Sequence, residues 1–162
     1  TLDSRFTYTH VLERTNYLDP TDPDAPDQQL LELGDPKHAF NWNNSLKVGR
    51  FTLGYQMRYF SKMALREADE VVDVEGNPAT NPVLANRNWY PGRFYHDIRV
   101  GVDVTDKHNL YVGIDNLSNA NPPLGHNGIS GVGGGIVSPN SGGSAIYDNK
   151  GRFFYAGFVS KF

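Results

Sequence analysis

Phe51-Thr52-Leu53-Gly54-Tyr55-Gln56-Met57-Arg58-Tyr59 is the stretch that decides the fold class. Its apolar members, Phe51, Leu53, Tyr55, Met57 and Tyr59, occupy every second position, with Thr52, Gly54, Gln56 and Arg58 between them. A period of two marks a strand with one apolar and one polar face. The alternation recurs around Phe6 to Leu12, Phe40 to Leu46, Phe94 to Val104, Leu110 to Ile114 and Phe154 to Phe162. No segment carries a convincing helical period. The expectation is an all-β chain of about six strands.

The connections set the topology. Lys47 to Arg50 and Thr105 to Asn109 are hairpin-sized, whereas the stretches 15–37, 61–93 and 118–150 are long for a compact domain. Tight turns at one end and long loops at the other predict an antiparallel up-and-down meander. Composition narrows the class. A chain of 162 residues has room for one domain, and 17 Gly with 10 Pro argue against a helical bundle. No apolar run is long enough for a transmembrane helix, which leaves a membrane-spanning β-barrel open. The net charge of -3 predicts no nucleic-acid partner, and the absence of Cys removes disulfides and thiolate chemistry. The chain opens at Thr1 without Met or a signal peptide, so a processed product or a piece of a longer protein is expected.

Period-two patterning fits either a dry sandwich or a wall facing lipid. The wet lumen of a barrel suits polar faces carrying Arg58, Asp97, Arg99, Asp103 and Asp115, and aromatics towards the strand ends suit a membrane interface. The barrel is therefore preferred, with a soluble β-sandwich carbohydrate-binding module as the alternative.

Two stretches then resemble the end of TonB-dependent outer-membrane receptors. One runs from Thr105-Asp106-Lys107-His108-Asn109 through Asn116-Leu117-Ser118-Asn119 to Pro122-Pro123, and the other is Tyr147-Asp148-Asn149-Lys150-Gly151-Arg152-Phe153-Phe154 leading to the terminal Phe162. The likeness is nearest to proteobacterial receptors of sphingomonads and their relatives. It implies that residues 1–162 are the last part of a 22-stranded transmembrane barrel, whose lumen holds a plug domain absent from this chain. It also implies an outer-membrane location and an active-transport role in importing a scarce nutrient: an iron chelate (siderophore), a cobalamin or an oligosaccharide. The implied partners are the rest of the barrel and its plug, the TonB complex acting through the missing N-terminal part, outer-membrane lipid and the barrel-assembly machinery. Gly157, Phe158 and Phe162 resemble the assembly signal of that class, with Ser160 standing where an apolar residue is usual.

Candidate ligand-binding residues are Trp89, Tyr90, Arg93 and Tyr95, where the second long loop descends into a strand, together with Arg58 and Arg99 on the polar faces. Aromatic rings beside an Arg can hold sugars or anionic chelates. The plainer and preferred reading of the loop group is an interface belt. The carboxylates Asp19, Asp22, Asp24 and Asp27 lack a regular calcium spacing and are interleaved with prolines, and His10, His38, His96, His108 and His126 are scattered along the chain. No metal site and no cofactor are expected. Gly131 to Gly135 lacks the helix and Lys-Ser/Thr of a phosphate loop, and no Gly-x-Ser-x-Gly elbow exists, so no enzymatic activity is expected.

Overall fold

The computed structural model describes residues 1–17, 21, 27–64, 75, 77, 89–122, 146–148 and 150–161. In chain order its strands are β1 (Leu2–His10), β2 (Thr15–Asn16), β3 (Asp27–Gln28), β4 (His38–Val48), β5 (Phe51–Phe60), β6 (Met63–Ala64), β7 (Trp89–Tyr90), β8 (Arg93–Asp103), β9 (His108–Asp115) and β10 (Phe153–Ser160). Among the described residues there is no helix. The six long strands form one antiparallel sheet in the order β1-β4-β5-β8-β9-β10, the meander expected from the spacing. The two short ribbons, β2-β3 and β6-β7, sit within the first and second long connections and had no counterpart in the alternation.

The β4-β5 turn is tighter than the sequence suggested, because Lys47 and Val48 remain in the ladder and only Gly49-Arg50 turns. Gly49 takes φ 56°, the glycine-first arrangement of a two-residue hairpin whose twist matches its strands. β1 begins at Leu2 and ends at His10, earlier than its apolar pattern suggested.

Cross-strand register puts all the apolar sets on one side. Phe6 faces Trp42, which faces Met57, which faces His96; Leu46 faces Leu53, which faces Val100, which faces Val112, which faces Ala156. On this side Leu2, Phe6, Phe51, Val112, Phe154 and Phe158 are 57% to 66% exposed. Towards the loop end the rings of Phe6, Phe40, Tyr59 and Phe94 form a row across four strands, with centroid separations of 5.4, 5.2 and 4.5 Å.

The buried apolar residues lie elsewhere. Among the described residues they are Leu31, Met63, Ala64, Tyr90, Tyr95 and Tyr147, gathered at the loop end on the polar side, where Phe60 meets Tyr147 edge-on and Tyr95 at a tilt. A sandwich would need a second extended sheet, and among the described residues the other sheets are ribbons of two residues per strand. Burying a large apolar side chain stabilises by about 1.5–3 kcal/mol, so a bare face of this size is built for contact with something other than water.

Candidate functional site

The polar face is organised in three tiers. At the turn end Asp103 accepts hydrogen bonds from Lys47 Nζ at 3.0 Å and Asn109 Nδ2 at 2.8 Å, tying β4, β8 and β9 together. Arg50 completes the tie by donating to the carbonyls of Asp103 and Val104.

In the middle tier large side chains lie opposite glycines. Tyr155 pairs with Gly113, Tyr111 with Gly157 and Arg99 with Gly54. The rings of Tyr155 and Tyr111 fill the space a Cβ would need at Gly113 and Gly157. The Arg99 guanidinium lies over the Tyr111 ring, 3.9 Å from its centroid, within the range of a cation–π attraction. The result is a flattened patch of polar wall.

The upper tier is charged. Arg58 Nη2 lies 3.3 Å from Asp97 Oδ2 and its guanidinium carbon 5.3 Å from the Tyr95 ring centroid. Asp115, Asp148, Lys150 and Gln56 join Arg58 and Asp97 around a cavity of about 470 Å³. Three carboxylates and two cations at one end of the sheet form an ionic surface suited to a polar or charged partner.

The two motifs that carry the family resemblance meet above this cavity. Asn116 is fully buried with φ 51°, a left-handed conformation that Asn tolerates better than most side chains. Its side chain donates to the Ala120 carbonyl and accepts from the Ala120 N–H at 2.9 and 2.8 Å, while its own N–H donates to Asp97 Oδ1. Asn119, also left-handed at φ 53°, accepts from the Arg152 N–H at 2.9 Å, and Arg152 Nε donates to the Leu117 carbonyl. The Asn-Leu-Ser-Asn turn and the Gly-Arg that opens β10 are thus one hydrogen-bonded knot. Beside it the Tyr147 hydroxyl donates to the Pro91 carbonyl and the Asp148 N–H donates to Tyr95 Oη. Burial pushes the Tyr147 phenol up to about 12.

The sequence-derived candidates separate in the structure. Tyr90 and Tyr95, 5% and 1% exposed, pack with Met63, Phe60 and Tyr147 and present little surface to a ligand or to an interface belt. The ring row of Phe6, Phe40, Tyr59 and Phe94 lies on the opposite face. Trp89 is partly buried, with Lys62 Nζ 4.1 Å from its ring centroid. Arg93 opens β8 on the same side as Tyr95, and Arg58 faces Tyr95 across the β5-β8 ladder. Arg99 lies apart from this group, in the glycine patch. Asp115, Asp148 and Lys150 join the charged tier without having been singled out as site residues, since only the pairing of β8, β9 and β10 brings them together.

Of the assembly residues, Gly157 lies under Tyr111, and Phe158 is exposed on the apolar face with its ring 5.6 Å from that of His108. Phe162 lies outside the described residues. The atypical Ser160 has a partner, its hydroxyl lying 3.1 Å from His108 Nδ1. Asp19, Asp22, Asp24, His126 and the glycine run 131–135 also lie outside the described residues. Among the described residues no group of three or more His, Asp or Glu side chains is placed to hold a metal ion.

No protein-family model matches the chain, and no curated protein does. Solved structures do. Two mutants of the ferric enterobactin receptor (PfeA) of Pseudomonas aeruginosa superpose with TM-scores of 0.63 and 0.62, and the ferric enterobactin receptor (PfeA) in complex with BCV-L6 with 0.63. Each is 16% identical in sequence, and each match covers 99% of this chain but 20% of the receptor. The chain therefore spans about a fifth of the length of the structures it matches. At that identity the likeness establishes the fold alone: an all-β, six-strand antiparallel sheet that superposes on part of a β-barrel.

Proposed function

We propose that residues 1–162 form the C-terminal part of the barrel of a TonB-dependent outer-membrane receptor. The observation that carries this reading is the bare apolar face. Six paired strands present their phenylalanines, leucines and valines outward on one side, while the buried residues collect on the other side at the loop end. The long strands run to 8–11 residues, close to the length a tilted strand needs to cross a bilayer. The ring row then sits at the interface where amphipathic aromatics are favoured.

In this reading the polar tiers line the lumen against a plug domain, and the long connections lie outside the cell. The segment supplies wall, loop surface and, through Gly157, Phe158 and Phe162, the strand read by the barrel-assembly machinery. The complete receptor draws its energy from the TonB complex through a part beyond this chain. Of an iron chelate, a cobalamin and an oligosaccharide, the iron chelate has the added support that the matching structures are ferric enterobactin receptors. Those structures come from Pseudomonas aeruginosa and lend no weight to the narrower sphingomonad-like assignment, which rests on the sequence motifs.

Fractionation of cells producing the parent protein tests the proposal. It should pellet with outer membranes, require detergent for extraction and migrate differently on gels before and after heating. A freely soluble monomer would overturn the assignment.

A further inference from the structure

Scattered along the sequence, the histidines looked unrelated, but the β1-β4 register sets His10 directly opposite His38. Thr1 and Lys47 exchange both backbone hydrogen bonds at 2.8 Å, and Val11 N–H donates to the Lys37 carbonyl. By alternation from these two positions, His10 and His38 form a non-hydrogen-bonded pair, the kind in which facing side chains come closest. Their rings lie 4.5 Å apart between centroids and 23° from parallel. His38 Nδ1 is 2.9 Å from the Tyr8 hydroxyl. His10 is exposed and, among the described residues, has no hydrogen bond of its own.

We propose that His10 and His38 form a two-imidazole site for a divalent transition-metal ion such as Cu²⁺, Ni²⁺ or Zn²⁺, at the loop-end rim of the apolar face. Imidazole suits these ions, and a nitrogen-to-metal distance of about 2.0–2.1 Å is reached when two neighbouring rings turn one nitrogen each towards a common point. The exposed His10 ring is free to make that turn, while His38 is already held. A His that binds metal through Nε2 carries its proton on Nδ1, and Tyr8 Oη stands where it accepts that proton's hydrogen bond. Water, or a donor from another molecule, fills the remaining positions. The site stands independently of the receptor reading, since it needs only the β1-β4 pairing.

Cu²⁺, the strongest binder of the series, is the probe. Titrated into the intact protein in detergent and followed by electron paramagnetic resonance, it should show coupling to two imidazole nitrogens. His10→Gln and His38→Gln should each leave one nitrogen and weaken binding by roughly tenfold or more, and Tyr8→Phe should weaken it by roughly tenfold. His96→Gln, at a ring that partners Tyr55, should leave the spectrum unchanged. A copper spectrum indifferent to both His10→Gln and His38→Gln overturns the site. Should either variant fail to fold, acylation by diethyl pyrocarbonate keeps the test open in the unaltered protein. Zn²⁺ should shield His10 and His38 and leave His108 reactive, and equal acylation with and without Zn²⁺ also overturns it.

Discussion

Tyr155 and Gly113 are cross-strand partners in which the ring of one occupies the space the other's missing side chain leaves. Tyr111 and Gly157 repeat the arrangement two pairs further along the same ladder. Gly113→Val and Gly157→Val should therefore drive the rings off the wall, at a cost of about 1–3 kcal/mol each. The double variant Gly157→Ala/Tyr111→Ala should fold better than Gly157→Ala alone, because the clashing ring is gone and the two effects are coupled. The heat-modifiable folded fraction measures this. A double variant no better than the single one would mean that Gly157 acts through recognition rather than packing.

The two faces of the sheet should respond differently to charge. Val100→Arg places a guanidinium on the exposed apolar face, at a cost of roughly 2–4 kcal/mol if the site lies at mid-bilayer. Thr52→Arg, one residue from Leu53 on the neighbouring strand, puts the same group on the polar face and should be tolerated. Folded yield in outer membranes separates the two. Equal tolerance would remove the distinction between a lipid-facing and a lumen-facing side.

Tyr147 links the loop-end packing to pH. Its phenol is held at about 12 because burial disfavours the phenolate, whereas an unfolded tyrosine titrates near about 10. A raised folded-state value means the stabilisation is fully present below about 10 and is lost as pH climbs through about 12. Tyr147→Phe should remove that alkaline transition while losing about 0.5–1.5 kcal/mol with the hydrogen bond to Pro91. Protease susceptibility of the loops across alkaline pH, in both proteins, is the measurement. An unchanged transition in Tyr147→Phe would assign it to another group.

Asn116→Ala should loosen the knot at the base of the third long connection. It removes two side-chain hydrogen bonds to Ala120 and leaves a part-buried N–H without its acceptor, a loss of about 1–3 kcal/mol. Faster hydrogen exchange at Ala120 and Arg152, with the β4-β5 ladder unaffected, is the expected result. Uniform protection in the variant would show that the turn holds without its side chain.

The main sheet was legible because alternation is a local signal. Each strand announces its own two faces, and the short turns fix which strands are neighbours. The apolar pattern of β1 starts later than the strand itself because Ser4 interrupts it. Across the ladder that hydroxyl donates to Asn44 Oδ1 and accepts from Trp42 Nε1, so three polar groups on the apolar face satisfy part of one another's demand. What alternation could not show is which distant residues a ladder brings together. His10 meets His38, and Asp115 meets Arg58, only through register. Tyr95 reads as a polar-face residue by position, yet it is buried, and Asp148, from far along the chain, donates its N–H to the phenol. Ser160 looked like a departure from an apolar rule, and its reason lies across the ladder at His108.

The Asn116–Arg152 knot has an evolutionary consequence. Because both ends of the third connection are clasped at one point, the span between them can be exchanged or lengthened with little penalty to the scaffold. Closing a flexible stretch twice as long costs only about 0.6 kcal/mol more. The clasp makes this position a natural graft point, where a different span can be tried while the sheet beneath stays the same.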